Sequence, residues 1–333
     1  AYKSNDIDRG HMVRRLDPVW GEEAVQANAD TFVYTNSALQ HKDLNRREWV
    51  ALEEHILSHA RTTDQKMTVL TGPVFRSEKS FTHRHMTEFT GLDLEMTFKE
   101  HYSEVLDILD RTFNAVFDGL NQQFKTELDT VREQHPFEDL RYTCPCLRFT
   151  YPEAMALLRK EGPALVRKMM EGITDATELA RLKEREASVA SHGDLVDIGT
   201  EDEKLLGEIV ARIHKQDFYI IDKFPADVRP FYTMPDPIDP TLSNSYDIFI
   251  RGEEVTSGAQ RIHDPQMLLD QAAAKDPPVD LSPIKDYIDS FSYGAFPHAG
   301  GGIGMERVVM LFLGLDNIRK SSMFPRDPQR LSP

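Results

Sequence analysis

The stretch SYDIFIRGEEVTSGAQRI, residues 245–262, decides the fold class. It reads as two strands, SYDIFIRG (245–252) and EEVTSGAQRI (253–262), joined at a glycine-bearing turn. DFYIIDKFP (217–225) precedes them as another strand, and a final helix follows the glycine run in GGGIGMERVVMLFLGL (300–315). Strands connected through turns and followed by helices predict an antiparallel α+β domain rather than a doubly wound sheet. Upstream lie a strand at GLDLEMTF (91–98) and a helix from about His101 to Phe124. The polar segment 172–204, rich in Glu, Lys, Ala, Ser and Gly, reads as a surface insertion. Nearer the N-terminus, TFVYTNSA (31–38) and KMTVLTGPVF (66–75) are strand-like. They bracket DLNRREWVALEEHILSHA (43–60), where Trp49, Leu52 and Ile56 recur at helical spacing.

With 333 residues and 40% hydrophobic content, the chain can bury one large core or two modest ones. Its net charge of −16 argues against a surface coated for nucleic acid, because each phosphate contact needs a local cation. Most of the acidic excess falls after residue 75. Cys144 and Cys146 are the two cysteines; they offer no disulfide framework and do not by themselves make a closed zinc site. AYKSNDIDRG at the N-terminus lacks an apolar signal core, and VVMLFLGL is too short to span a bilayer. A soluble, cytoplasmic protein with no membrane partner is expected.

Two groups of residues carry chemistry. In the first, Asp8-Arg9-Gly10-His11 precedes YTNSALQHKDLN and WVALEEH. Cleaving a phosphodiester needs a base for water, a cation on the non-bridging oxygens, and a metal or acid for the leaving oxygen. His11 suits the base, Arg9 the clamp, and Asn45 a magnesium ion that keeps most of its waters. Asn45 and Glu53 lie eight residues apart, about 80° round a helix, so both can border one cleft. The bland alternative makes DRGH a turn with Arg9 ion-paired and His11 on the surface.

Residues 1–75 resemble the DRGH-type non-specific DNA/RNA endonucleases with a ββα-metal motif. The match runs through DRGH, then Thr35, Asn36 and Gln40, then Leu44-Asn45, then Leu52-Glu53. The resemblance implies His11 as general base, Asn45 as metal ligand, and Arg9 and Glu53 as partners of phosphate or metal-bound water. Asn36 and Gln40 become supporting groups, and DNA or RNA the substrate.

In the second group, Arg76 and Glu78 follow GPVF at a strand end, and Arg307 sits just inside the helix that GGGIGMER begins. Two arginines on separate elements can grip a bent triphosphate. Glycines at 300–302 and 304 permit close approach of a ligand, or simply form a turn; no Gly-Lys-Ser/Thr follows, so this is not a P-loop. His83-Arg84-His85 reads as a loop closing over a nucleotide in preference to a metal site.

GPVFRSE, THRHMTEFTGLDLEM, RPFYTMPDP, SNSYDIFIRGEEVTSGAQRIHDP, SYGAFPHAGGGIGMER and SSMFPRDPQRLSP together resemble class II aspartyl-tRNA synthetases of the eukaryotic or archaeal type, from about residue 72 to 333. The resemblance implies an antiparallel sheet flanked by helices over 76–333, with ATP and Mg²⁺ as cofactors and aspartate as substrate. Arg76 would hold the α-phosphate and Arg307 the γ-phosphate, while Glu78, His85 and Phe89 line the ATP site. Glu254 and Ser257 would be the magnesium partners, and Asp93 and Glu95 would lie beside the substrate's amino end. Arg261 would receive the aspartate side-chain carboxylate, a task its planar fork fits better than lysine.

In that family the chain before GPVFR carries an anticodon-binding barrel, the dimer-building motif 1 and a Q-S-P-Q-x-x-K-like stretch, none of which reads in residues 1–71. A homodimer is therefore not expected, aspartate binding is expected to be impaired, and tRNA(Asp) is a candidate partner without a segment to read its anticodon. GPVF fits both families at a strand end. A recombinant joined there accounts for the coincidence, since a natural fusion is expected to link whole domains through a linker. Aspartate activation, nucleic-acid cleavage and an inactive recombinant are the three outcomes the sequence leaves open.

Overall fold

The computed structural model describes residues 67–332 together with two strands, β1 (Ile7–His11) and β2 (Ser37–His41). The chain divides into two units, Ala1–Met67 and Thr68–Pro333. In the first, β1 and β2 pair antiparallel, with Arg9 opposite Leu39 and His11 opposite Ser37. The helix expected over 43–60 lies outside the described residues, as do Asn36, Asn45 and Glu53.

The second unit is built on a seven-stranded sheet in the order β3-β4-β9-β8-β7-β6-β5. Its strands are β3 (Met67–Phe75), β4 (Glu88–Thr97), β5 (Leu147–Thr150), β6 (Phe218–Asp222), β7 (Ser245–Ile250), β8 (Glu253–Gln260) and β9 (His298–Gly304). The β4-β9, β9-β8, β8-β7 and β7-β6 pairs are antiparallel, and β5 joins β6 in parallel. The antiparallel α+β expectation holds, and KMTVLTGPVF supplies the edge strand of this sheet.

Both faces of the sheet are covered, and β6 shows how. FYIID has no polar residue until its end; alternate side chains point to opposite faces. Phe218 meets Phe113 and Phe117 of α1 (Ser103–Gln123). Tyr219 and Ile221 pack instead into a cluster with α3 (Tyr151–Met169), α4 (Ala176–Ala190) and α5 (Thr200–Ile213). Helix α1 turns Val105, Leu109, Phe113 and Phe117 inward at four-residue spacing, one stripe of an amphipathic helix. Helix α3 begins in a capping box, Thr150 and Glu153 satisfying each other's backbone N–H groups. Helix α2 (Lys125–Gln134) buries no residue; α6 (Pro265–Ala274), α7 (Lys285–Ser290) and α8 (Met305–Phe312) complete the helices of the described residues.

The segment 172–204 lies largely at the surface, as expected, but it is packed helix rather than a loose insertion. It contains α4 and the start of α5, and Leu182, Val189 and Ile198 are buried against α3. Glu, Ala, Lys and Arg are strong helix formers, so a composition that looks like solvent-exposed linker is also that of a helix with two inward positions seven residues apart.

The turn between β7 and β8 is two residues long, Arg251 (φ 51°) and Gly252 (φ 78°), the left-handed pair that matches the twist of a hairpin. Arg251 donates from Nε to Leu311 O at 2.9 Å and from Nη2 to Glu138 O at 2.6 Å, and its backbone N–H reaches Asp217 O at 2.7 Å. Between β4 and β9 the approach is closer still. A Cβ on Gly300 would lie 2.0 Å from Leu94 O and 2.5 Å from Glu95 Cδ.

Two measurements check these packings. Gly300→Ala should cost about 1–3 kcal/mol in urea unfolding, the range for a side chain forced into filled space, whereas Gly119→Ala, in open space on α1, should not destabilise. Asp217, 5% exposed, accepts from Arg141 N, Nε and Nη2 at 2.9, 2.9 and 2.6 Å. Burial pushes its carboxyl up, but the Arg141 hydrogen bonds and charge outweigh that and leave it below the usual range. A depressed carboxyl stabilises the fold above its unfolded value, about 3.9, and that stability is lost as pH falls through the folded value. The gap in urea midpoint between wild type and Asp217→Asn should therefore narrow below about pH 4; a gap independent of pH would rule the charge out as its source.

Candidate active site

A cavity of about 290 Å³ opens where β3, β4, β8, β9 and α8 converge. Its walls include Arg76, Glu78, His85, Phe89, Asp93, Glu254, Ser257 and Arg307, eight residues singled out in the sequence and drawn from positions up to 231 apart. Register explains the convergence. Asp93 faces Gly302 across β4-β9, and Gly302 faces Ser257 across β9-β8. The glycine run is thus a strand of the sheet rather than a turn, and the missing side chains leave room for those of its neighbours.

Arg307 is fastened at both terminal nitrogens. Its Nη1 donates to Glu254 O at 2.9 Å and Nη2 to Arg84 O at 3.1 Å, tying the 82–87 loop to β8. Burial lowers its pKa, against the pull of Glu254; a guanidinium nevertheless stays charged. Arg76 is exposed and lies 5.0 Å over the Phe89 ring, with its backbone N–H on Thr87 O at 2.9 Å. Glu78 accepts from Ser80 N at 2.8 Å, which holds its carboxyl below the usual range. His85 Nδ1 is 2.6 Å from Thr82 Oγ1. Burial, with the nearby charges of Arg307 and Arg84, lowers its pKa against the opposing pull of Glu78.

The loop bearing His83-Arg84-His85 is pinned from outside the cavity. His83 Nε2 lies 3.0 Å from Glu253 Oε2, and Arg84 reaches Thr200 Oγ1 at 2.8 Å and Glu203 Oε2 at 3.3 Å on α5. At the far end of β9, Arg261 donates Nε and Nη2 to Glu95 Oε1 at 3.2 and 2.9 Å. Glu95 and Arg261 thus engage each other and stand apart from the residues lining the cavity. Of the nuclease-like residues, Arg9, His11 and Gln40 are backbone positions of β1 and β2, in the other unit.

Three polar residues not singled out in the sequence belong here. Glu306 on α8 is one, accepting from Thr90 N at 2.8 Å. Arg229 and Asp247 form the second and third, an ion pair at 2.7 Å with Arg229 Nη1 also on Ser257 Oγ at 3.1 Å. Asp247 sits inside SNSYDIFIRG and Arg229 opens RPFYTMPDP, so motif matching touched both without a reason to separate them from their neighbours.

The carboxylates on β7 and β8 suit a divalent cation. Burial and the Asp247 charge push the Glu254 carboxyl up to about 7, against Arg307, and Asp247 Oδ1 is buried without a hydrogen-bond partner. A cation placed beside them would stabilise the charged form of both carboxylates. Among the described residues no group of three or more His, Cys, Asp or Glu is arranged to hold a metal alone. That donor set fits magnesium, which is typically held through one or two carboxylates plus substrate phosphates and waters.

Residues 68–328 match the family model for class II tRNA synthetases (D, K and N), and residues 1–104 match that for DNA/RNA non-specific endonucleases. Over 262 residues the chain is 52% identical to the cytoplasmic aspartate–tRNA ligase of Homo sapiens, covering 79% of this chain and 46% of the relative. Identity to cytoplasmic aspartate–tRNA ligase 1 of Dictyostelium discoideum is 51%, covering 79% and 41%. The solved aspartyl-tRNA synthetase of Entamoeba histolytica superposes with a TM-score of 0.68 at 47% identity, covering 82% of this chain and 50% of that one. The chain thus spans about half the length of the relatives it matches. With a family model covering most of its length and the sheet, helices and cavity in agreement, the chain belongs to the class II tRNA synthetases of the D, K and N group.

Proposed function

We propose that residues 68–333 activate aspartate with ATP, forming aspartyl-adenylate and releasing pyrophosphate, and pass the aspartyl group to tRNA(Asp). The observation that carries this reading is a cavity whose wall brings together arginines from different elements, Arg76 and Arg307 among them, and the acidic strand residues Asp93 and Glu254. Such a lining offers cations to a triphosphate and carboxylates to an amino group.

The chemistry requires no protein nucleophile. The aspartate carboxylate attacks the α-phosphorus in line while the pyrophosphate leaves, so the chain's work is orientation and charge neutralisation. Arg76, on an exposed strand end, meets the α-phosphate, and Arg307, anchored on two carbonyls, meets the γ-phosphate end. Glu78, His85 and Phe89 line the nucleotide side. Asp93 faces the amino group. Arg261 takes the substrate's side-chain carboxylate by exchanging it for Glu95 Oε1, which frees Glu95 for the amino end. Asparagine loses that ion pair and is discriminated against. Magnesium, held by Glu254 and Ser257 with the phosphates, would supply further neutralisation of the leaving pyrophosphate. Cytoplasmic residence follows from the names of the relatives and is part of the same proposal; among the described residues no helix is long and apolar enough to cross a membrane.

Aspartate-dependent exchange of labelled pyrophosphate into ATP tests the proposal. Exchange is expected in the intact chain and should fall by about 100-fold or more in Arg76→Ala and in Arg307→Ala, the usual effect of removing one preorganised charge. ATP affinity left unchanged in both variants would sink the reading.

A second reading rests on the endonuclease match over residues 1–104 and on the antiparallel β1-β2 pair that carries DRGH. It makes the N-terminal segment a magnesium-dependent nuclease with His11 as base, Arg9 and Glu53 as phosphate or metal-water partners, and Asn45 as ligand. Plasmid nicking that disappears in His11→Ala is the expected outcome, and nicking that persists there assigns the activity to a contaminant. Cooperative unfolding with neither activity marks the inactive recombinant.

A further inference from the structure

Arg229 is a largely buried arginine paired with a buried aspartate. Its side chain is 13% exposed and that of Asp247 is 8% exposed. The guanidinium carbon lies 3.9 Å over the centre of the Phe224 ring. From that stack the two terminal nitrogens diverge, Nη2 to Asp247 Oδ2 at 2.7 Å and Nη1 to Ser257 Oγ at 3.1 Å. Asp247 and Ser257 are direct cross-strand partners on β7 and β8, so one planar group fixes both ends of a rung in the sheet. Two polar atoms of the pair are left buried with no hydrogen-bond partner, Arg229 Nε and Asp247 Oδ1, and of these Oδ1 is the acceptor.

The backbone of Arg229 is held as deliberately as its side chain. Lys275, at the end of α6, donates from Nζ to Arg229 O at 2.9 Å and to Ala226 O and Asp227 O at 3.4 Å each. A turn whose carbonyls converge on one ammonium has little freedom to move the arginine that follows it.

We propose that Arg229 is a positioning residue for the divalent cation of the site: it orients the Asp247 carboxylate and the Ser257 hydroxyl so that the free carboxylate oxygen and the hydroxyl face a cation shared with Glu254. The proposal rests on the reading that Glu254 and Ser257 meet magnesium. Within that reading it assigns a role to a residue that lies outside the cavity's lining. Only a planar fork can span the two partners at once. Lysine keeps the charge but reaches one partner as a point donor, which separates positioning from mere neutralisation of Asp247.

The test is equilibrium binding of labelled ATP to the full chain as a function of magnesium concentration, alongside the thermal midpoint. Wild type should bind ATP more tightly as magnesium is raised. Arg229→Lys and Arg229→Met should both need about 10-fold or more magnesium to reach half of that enhancement, the usual consequence of removing an outer partner of a metal ligand. Lys275→Met should shift the magnesium requirement in the same direction. Arg229→Lys titrating with magnesium as wild type does would overturn the proposal while leaving the magnesium reading intact. Wild-type binding indifferent to magnesium would overturn both. Where Arg229→Met fails to fold, Arg229→Lys and Lys275→Met decide the matter.

Discussion

Everything at the cavity depends on a strand with almost no side chains lying between two strands whose side chains carry charge. β9 places glycine at 300, 301, 302 and 304, with β4 on one side and β8 on the other. Glycine weakens an isolated strand because it gives up the most backbone freedom on ordering. Here the strand is paired on both edges, and its bareness lets the side chains of Asp93 and Glu95 of β4 occupy space that side chains of β9 would otherwise fill. The energetic weakness and the functional opening are the same property of the same four residues.

Charge in this unit is sorted by depth. The chain carries a net charge of −16, yet several of its arginines sit partly or largely buried beside the cavity, each with a carbonyl, a carboxylate or an aromatic face to hold it. Arg307 grips two carbonyls, Arg229 an aspartate and a hydroxyl, Arg261 a glutamate. A buried guanidinium without such partners would cost several kcal/mol in desolvation. With them, the protein presents positive charge where an anionic ligand fits while its surface remains acidic.

Much of the C-terminal unit was legible in its sequence because its signals are of the kind that local pattern records. β7 and β8 lie inside the runs read as strands, α1 follows its apolar stripe, and the cavity gathers eight residues that motif spacing had singled out. Three things were not legible. Helix α4 hides two inward residues among charged ones, and composition weighs the majority. The role of the glycine run depends on which strands flank it, a fact of topology rather than of the run itself. Arg229 and Asp247 make their meaning only as a pair 18 residues apart, and nothing in either neighbourhood announces the other. Of the N-terminal segment, the pairing of the strand that carries DRGH with β2 can be described, while Asn36, Asn45 and Glu53 lie outside the described residues.

The turn at Arg251 and Gly252 has a consequence for how such a chain can change over time. Hairpin tips ordinarily tolerate insertions because they point into water and touch little. This one is pressed against α5, where a Cβ on Gly207 would lie 2.3 Å from Gly252 Cα, and Arg251 is tied to the carbonyl of Asp217, just before β6, and to those of Leu311 and Glu138. The next two residues in the chain are Glu253 and Glu254, one holding the loop at His83 and the other facing the cavity. Length at this tip is therefore fixed by the same atoms that aim the carboxylates, and any drift in the size of the domain has to be absorbed elsewhere along the chain.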